Sequence, residues 1–268
     1  MPNANKQAGS KPDAIDLIGP SFDRPRGEPA AKTLIICAGP RREMARLLMA
    51  AGIGVAHEYF NPNYATIVAS RWGLTADVLS PEHIEEYIAE LRKRRLVGGV
   101  FATNLQFHQF QACLRNEQGR TFFKGAVVIH LFRADAIRQF VSLHRAWETG
   151  RYDFSDRATR LPVDTGRLWD KEFLIKAAHG LALQDAGFRR LFILSGIHPI
   201  FIESEEFFQK TRNIVEKIGE ALGTSINCER LDEAIALSKP YENGRESDAR
   251  REQLLLSIME QLAFESWY

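Results

Sequence analysis

Arg41 and Arg42 stand directly after a Gly39-Pro40 turn, between the apolar run Thr33–Ala38 and a helical pattern that closes at Gly52. Strand, turn and helix in that order aim backbone N–H groups and the positive end of a helix dipole beyond the strand, an arrangement that holds phosphate or sulfate. Guanidinium groups suit the oxygens of such anions. The rest of the turn departs from a usual phosphate cradle, because Glu43, Met44, Ala45 and Arg46 follow where Gly, Ser and Thr would let the anion approach the backbone. Glu43 adds a negative charge near the anion, Met44 is expected to set a side chain against it, and Arg46 lies further up the helix.

Three other stretches follow apolar runs or turns and carry reactive types: Glu58 in "HEYF", the segment Thr103–His108, and Arg133–Arg145. In an open α/β sheet, ligands sit beyond the carboxyl ends of the strands, where these residues fall. Glu58 is a carboxylate that can take a proton from a hydroxyl. Arg133 ends the run "GAVVIHLF", and projection into the ligand crevice or pairing with Asp135 are readings of equal weight. Ser142 follows in mid-helix, where a hydroxyl bonded to its own backbone is the ordinary reading. His57, His108, His130 and His198 show no metal-ligand spacing, and the 3 cysteines are far apart, so neither a metal site nor a disulfide framework is expected. No Walker A or Gly-x-Gly-x-x-Gly run occurs.

The elements that must position these residues are written in hydrophobic runs. "TLIICA", "VGGVFAT", "GAVVIHLFR" and "HPIFIES" read as strands buried on both faces. Helical spacing covers Arg42–Ala51, a segment opened by Ser80 as N-cap and Pro81 and ending in Arg92–Arg95, "LQFHQFQACLRN", Asp135–Thr149, Asp170 through Leu194, Glu205–Leu222 and Arg250–Ala263. The basic run Arg92–Arg95 reads as a solvated helix end. Asn61–Leu79 and Arg151–Asp170 read as variable loops suited to an acceptor pocket, and Thr224–Asp248 as a polar connection. Strands alternating with helices predict an α/β fold: a mainly parallel central sheet flanked by helices.

Composition bounds the rest. A chain of 268 residues with 45% hydrophobic and 26% charged residues suits one globular α/β domain, here 33–268 with a helical C-terminal part, after a flexible N-terminal arm over 1–32. A net charge of +1 gives no reason to expect nucleic acid or an anionic membrane as partner. Lacking a signal-peptide core or a span-length apolar stretch, the sequence predicts a cytoplasmic protein with no membrane span. The aromatic end "FESWY" offers a surface either to a partner subunit, as in a homo-oligomer, or to the chain's own core.

"VVIHLFRADAIRQFVSLHRAWETGRYD" resembles the strand, Arg-Pro-Asp, Ser-bearing helix and Trp-Arg-Ala of the trehalose 2-sulfotransferase-like bacterial sulfotransferases. "GIGVAHEYF", "GVFATNLQFHQF" and "GIHPIFIESEEFFQKTRNIVEKIGEALG" are similar, in the right order, to three further segments of that family, so the likeness runs from Thr33 to Gly223. The resemblance implies a P-loop nucleotide-kinase-like fold and sulfuryl transfer from 3'-phosphoadenylyl sulfate (PAPS) to a hydroxyl of a carbohydrate or other small acceptor. It implies Glu58 as general base, Arg133 and Ser142 on the donor's 3'-phosphate, and Arg41 and Arg42 in the turn facing its 5'-phosphosulfate. The family's loop hydroxyls are replaced by Glu43, Met44, Ala45 and Arg46, and a Lys after the second strand is replaced by Asn104. Those departures keep a second reading open, a catalytically inactive sulfotransferase-like protein that binds a nucleotide or a protein partner. Another transferase with an arginine-held anionic donor is the third.

Overall fold

The computed structural model describes residues 17–38, 42–115, 117–133, 139 and 171–238. In chain order these form β1 (Lys32–Cys37), α1 (Arg42–Ala50), α2 (Pro62–Trp72), α3 (Ile84–Arg94), β2 (Leu96–Val97) and β3 (Val100–Leu105). Then come α4 (Phe107–Arg115), α5 (Glu117–Phe123), β4 (Val127–Phe132), α6 (Lys171–Ser195), β5 (Ile200–Glu203), α7 (Ser204–Gln209), α8 (Thr211–Leu222) and α9 (Cys228–Ser238).

The sheet order is β2-β3-β1-β4-β5, parallel except for the antiparallel β2–β3 pair. Residues alternate between two cores, which explains why the strands read as continuous apolar runs. Leu34 and Ile36 of β1 pack with Met44 and Leu48 of α1 and with Val215 and Ile218 of α8. Ile35 and Cys37 face the other way, against a core that holds Tyr87 and Leu91 of α3, Phe110 of α4, and Phe188 and Phe192 of α6.

Several expectations change on contact with the structure. "VGGVFAT" is not one strand: Gly98 and Gly99, at φ +61° and +74°, close a two-residue hairpin between β2 and β3, the backbone that a type I′ turn demands. Asn61–Leu79 is loop only from Gly73 onward, since Asn61 caps α2 by accepting from the Asn63 N–H at 3.2 Å, with Pro62 in the first turn. Ser80 does not cap the next helix through its side chain. Its carbonyl accepts from His83 and Ile84, and the regular helix starts only at Ile84. The pattern over Glu205–Leu222 is broken at Lys210, where the Thr211 hydroxyl donates to the Phe207 carbonyl at 2.8 Å. The polar stretch after Thr224 contains α9, capped by Asn227, whose side chain accepts from Arg230 N–H at 3.0 Å. The helices expected over Asp135–Thr149, Gln139 apart, and over Arg250–Ala263, the loop Arg151–Asp170 and the aromatic end Phe264–Tyr268 lie outside the described residues.

The largest departure concerns the basic run, which is no solvated end. Arg95 is fully buried and donates to the carbonyls of Leu17 (2.7 Å), Ile18 (2.8 Å) and Gly19 (3.1 Å), with Asp23 as its ion-pair partner at 2.7 Å. Arg71 donates to Ile18 O at 2.8 Å, the Trp72 indole to Asp23 at 3.1 Å, and Arg92 to Ala30 O at 2.6 Å. Leu17, Ile18 and Ala30 are buried by this grip. From Leu17 onward, then, the N-terminal segment is docked on α2 and α3.

His130, in β4, sits among the rings of Phe132, Phe188, Phe192 and Phe201. Burial, reinforced by Arg189 and opposed by Asp185, pushes its pKa down to about 4, with the Asp185 carboxylate 3.2 Å from its Nε2. The unfolded chain takes up the proton near 6.5 while the folded one refuses it until about 4. Stability is therefore expected to fall as pH drops through that window. Urea midpoints at either end should show the fall in the parent chain and a smaller one in His130→Leu.

Candidate functional site

β1 lies between β3 and β4, so the chain leaves it first to one side and then to the other. Such a switch opens a crevice beyond the carboxyl ends of the strands. β1 ends at Cys37 and α1 begins at Arg42, which points the N-terminus of α1 into this crevice. Arg42 is the first residue of that helix, whereas Arg41 and Ser142 lie outside the described residues. The Met44 side chain does not stand in the crevice as its position in the turn implies. It is 1% exposed and belongs to the core under α1. Arg46 is half-buried.

Glu58 reaches the same edge from a different direction. Paired N–H groups at the end of α1, Gly52 to Met49 O (3.0 Å) and Ile53 to Leu48 O (2.8 Å), stop the helix and turn the chain back along β3. Gly54, at φ +64°, lets it pass, because a Cβ there would fall 2.6 Å from that of Ala102. His57 then forms a parallel bridge with Thr103, its carbonyl accepting from Asn104 N–H at 2.9 Å and from the Thr103 hydroxyl at 3.1 Å. Behind it, Tyr59 donates its hydroxyl to Val55 O at 2.8 Å, accepts at its carbonyl from the Tyr87 hydroxyl at 2.9 Å, and carries the Arg95 guanidinium 5.6 Å from its ring centroid. Burial pushes the Tyr59 phenol up, so it stays a neutral support.

The Glu58 carboxylate is thus presented from a fixed backbone. Its Oε2 accepts from Gln106 Nε2 at 2.9 Å and from Asn61 Nδ2 at 3.3 Å. Both donors are uncharged amides, which orient the carboxylate. Both bonds fall on Oε2.

Arg133 follows directly after β4 and donates from Nε to Glu205 Oε1 at 2.7 Å. Glu205 stands just past β5, which pairs with β4 through Phe132 and Glu203. Glu205 comes from 72 positions later in the chain, whereas Asp135, the partner the sequence offers, lies outside the described residues. From the Glu58 segment across β3 and β1 to β4 are three inter-strand steps, about 14 Å at ~4.8 Å each. Glu58 and Arg133 can therefore address opposite ends of one extended ligand lying along the sheet edge. Asn104 lies between them on β3, level with Ile36, and its Oδ1 is buried without a hydrogen-bond partner.

Sequence reasoning singles out Glu58 and Arg133 but not what holds them. Asn61 and Gln106 are amides from separate elements with no spacing to connect them to Glu58. Glu205 lies in an acidic turn visible in the sequence, though nothing there links it to Arg133. Among the described residues, no group of three or more His, Cys, Asp and Glu side chains could hold a metal ion, and no helix is long and apolar enough to cross a membrane.

Comparison with known proteins adds the chemistry. Among curated proteins no match was found. The family model described as Stf0 sulphotransferase matches residues 33–243, a range that contains the sheet from Thr33 onward, Glu58, Arg133 and Glu205. With its switch-point crevice and most of its length inside that match, the chain belongs to the Stf0 sulphotransferase family, whose reaction is sulfuryl transfer.

Proposed function

We propose that the protein moves the sulfuryl group of PAPS to a hydroxyl of a carbohydrate or other small acceptor, with Glu58 as general base. The observation that carries this reading is the Glu58 carboxylate, held by two uncharged amides at the same sheet edge as Arg133. Arg133 and Ser142 hold the donor's 3'-phosphate. Arg41, Arg42 and the N-terminus of α1 face the 5'-phosphosulfate.

Glu58 takes the proton of the acceptor hydroxyl as its oxygen forms the new bond to sulfur. The bond between sulfur and the 5'-phosphate oxygen breaks, and adenosine 3',5'-bisphosphate departs. Positive groups around the transferring sulfonyl and the leaving phosphate stabilise the charge that develops there. Asn104 offers an amide dipole where the family carries a cation, so that duty falls on the arginines of the turn.

The same Asn104, with Glu43 at the start of α1, favours a second reading: a chain of this family that binds a nucleotide or a protein partner without transferring sulfate. Release of labelled sulfate ester from labelled PAPS separates the two, and calorimetric titration with adenosine 3',5'-bisphosphate tests the donor site that the first requires. The donor reading expects micromolar binding, weakened in Arg133→Ala by roughly ten- to a hundredfold for a lost charged hydrogen bond. Absence of binding at millimolar ligand would leave the second reading standing.

A further inference from the structure

Arg133 and Glu205 are in direct contact, and only one of them suits a phosphate. The carboxylate accepts through Oε1 from Arg133, while its other oxygen, Oε2, is buried and meets no hydrogen-bond partner. An ionised carboxylate is acceptor-only, with about four lone-pair sites, so Glu205 has acceptor capacity to spare and can be satisfied only by a donor. A phosphate supplies none and repels it. The Glu205 side chain is 38% exposed, and its terminal torsion is soft, so a modest rotation brings a carboxylate oxygen to the crevice.

Two groups 2.7 Å apart are close enough to read neighbouring atoms of one ligand. Resting on the donor reading above, we propose that Glu205 accepts a hydrogen bond from the donor's ribose 2'-hydroxyl while Arg133 holds the phosphate on the adjacent 3' carbon. Glu205 is then a specificity residue that makes the site selective for a 3'-phosphorylated ribonucleotide over its 2'-deoxy counterpart. Its contact with Nε also fixes the plane of the Arg133 guanidinium, so that the phosphate is met along the Nη edge.

The test is calorimetric titration of the full chain with adenosine 3',5'-bisphosphate and with 2'-deoxyadenosine 3',5'-bisphosphate, repeated in Glu205→Ala and Glu205→Gln. The parent chain is expected to bind the ribonucleotide about tenfold or more tightly, as for a lost hydrogen bond to a charged group. The ratio should fall to near one in Glu205→Ala and to a value between the two in Glu205→Gln, which keeps a neutral acceptor. Because the ratio is taken within each protein, a general weakening of the variant cancels. Equal affinities in the parent chain, or a preference that survives in Glu205→Ala, would overturn the inference and leave the donor reading intact. If neither nucleotide binds at millimolar concentration, the donor reading falls and this inference with it.

Discussion

Glu58→Gln is expected to lower sulfuryl transfer by about a hundred- to ten-thousandfold, the range supplied by a positioned general base, while donor affinity stays unchanged. Glutamine keeps the length of the side chain and an oxygen that can accept from Gln106 and Asn61, so the Ile53–Phe60 segment has no reason to move. It cannot accept the proton. The two effects separate because Glu58 lies beyond β3 while the proposed 3'-phosphate contact lies beyond β4. Release of labelled sulfate ester from labelled PAPS over a panel of hydroxyl acceptors reports the first effect, and titration with adenosine 3',5'-bisphosphate the second. Undiminished transfer by the variant would remove Glu58 from the mechanism. A parallel loss of nucleotide binding would show that Glu58 shapes the site instead of acting in the chemical step.

Arg95→Met should cost about 3–5 kcal/mol of stability, the usual penalty for deleting one partner of a buried ion pair. Methionine can fill the space of the alkyl stem, but it removes the guanidinium's bonds to the carbonyls of Leu17, Ile18 and Gly19, of which Ile18 O keeps Arg71 and Gly19 O keeps the Phe22 N–H. Asp23 retains the Trp72 indole at 3.1 Å and Arg71 at 3.3 Å. Arg95→Lys should recover part of the loss, since one ammonium cannot reproduce a planar fork that spans three acceptors. Urea unfolding measures both variants. A change under about 0.5 kcal/mol, the scale of an ordinary surface substitution, would mean that the buried guanidinium does not hold the N-terminal segment.

These two residues also mark how far the sequence is legible. The central strands announce themselves because each is buried on both faces, and the parallel alternation follows from the helices between them. What escapes is whatever depends on a partner distant in the chain. Arg95 closes a run of four basic residues, and its burial is set by carbonyls 76 to 78 positions earlier, which no local pattern encodes. Glu58 stands out only through the family resemblance, and its amide holders arrive from the cap of α2 and the residue before α4. The Gly98-Gly99 pair and the Asn227 cap are different. Both are local turn and capping signals, legible in the sequence but outweighed there by an apolar run and by polar composition.

The docked N-terminal segment bears on the order in which the chain assembles. Its anchors come late: Trp72 is 49 residues after Asp23, Arg71 is 53 after Ile18, and Arg95 is 78 after Leu17. A nascent chain has made Leu17–Asp23 long before the helices that receive it exist, and closing so long a loop has an entropic cost that local helices do not bear. The clamp should therefore close after the folding barrier has been crossed. Interactions of that kind slow unfolding and leave refolding almost untouched, which makes Arg95 a lock on the finished fold with little part in building it.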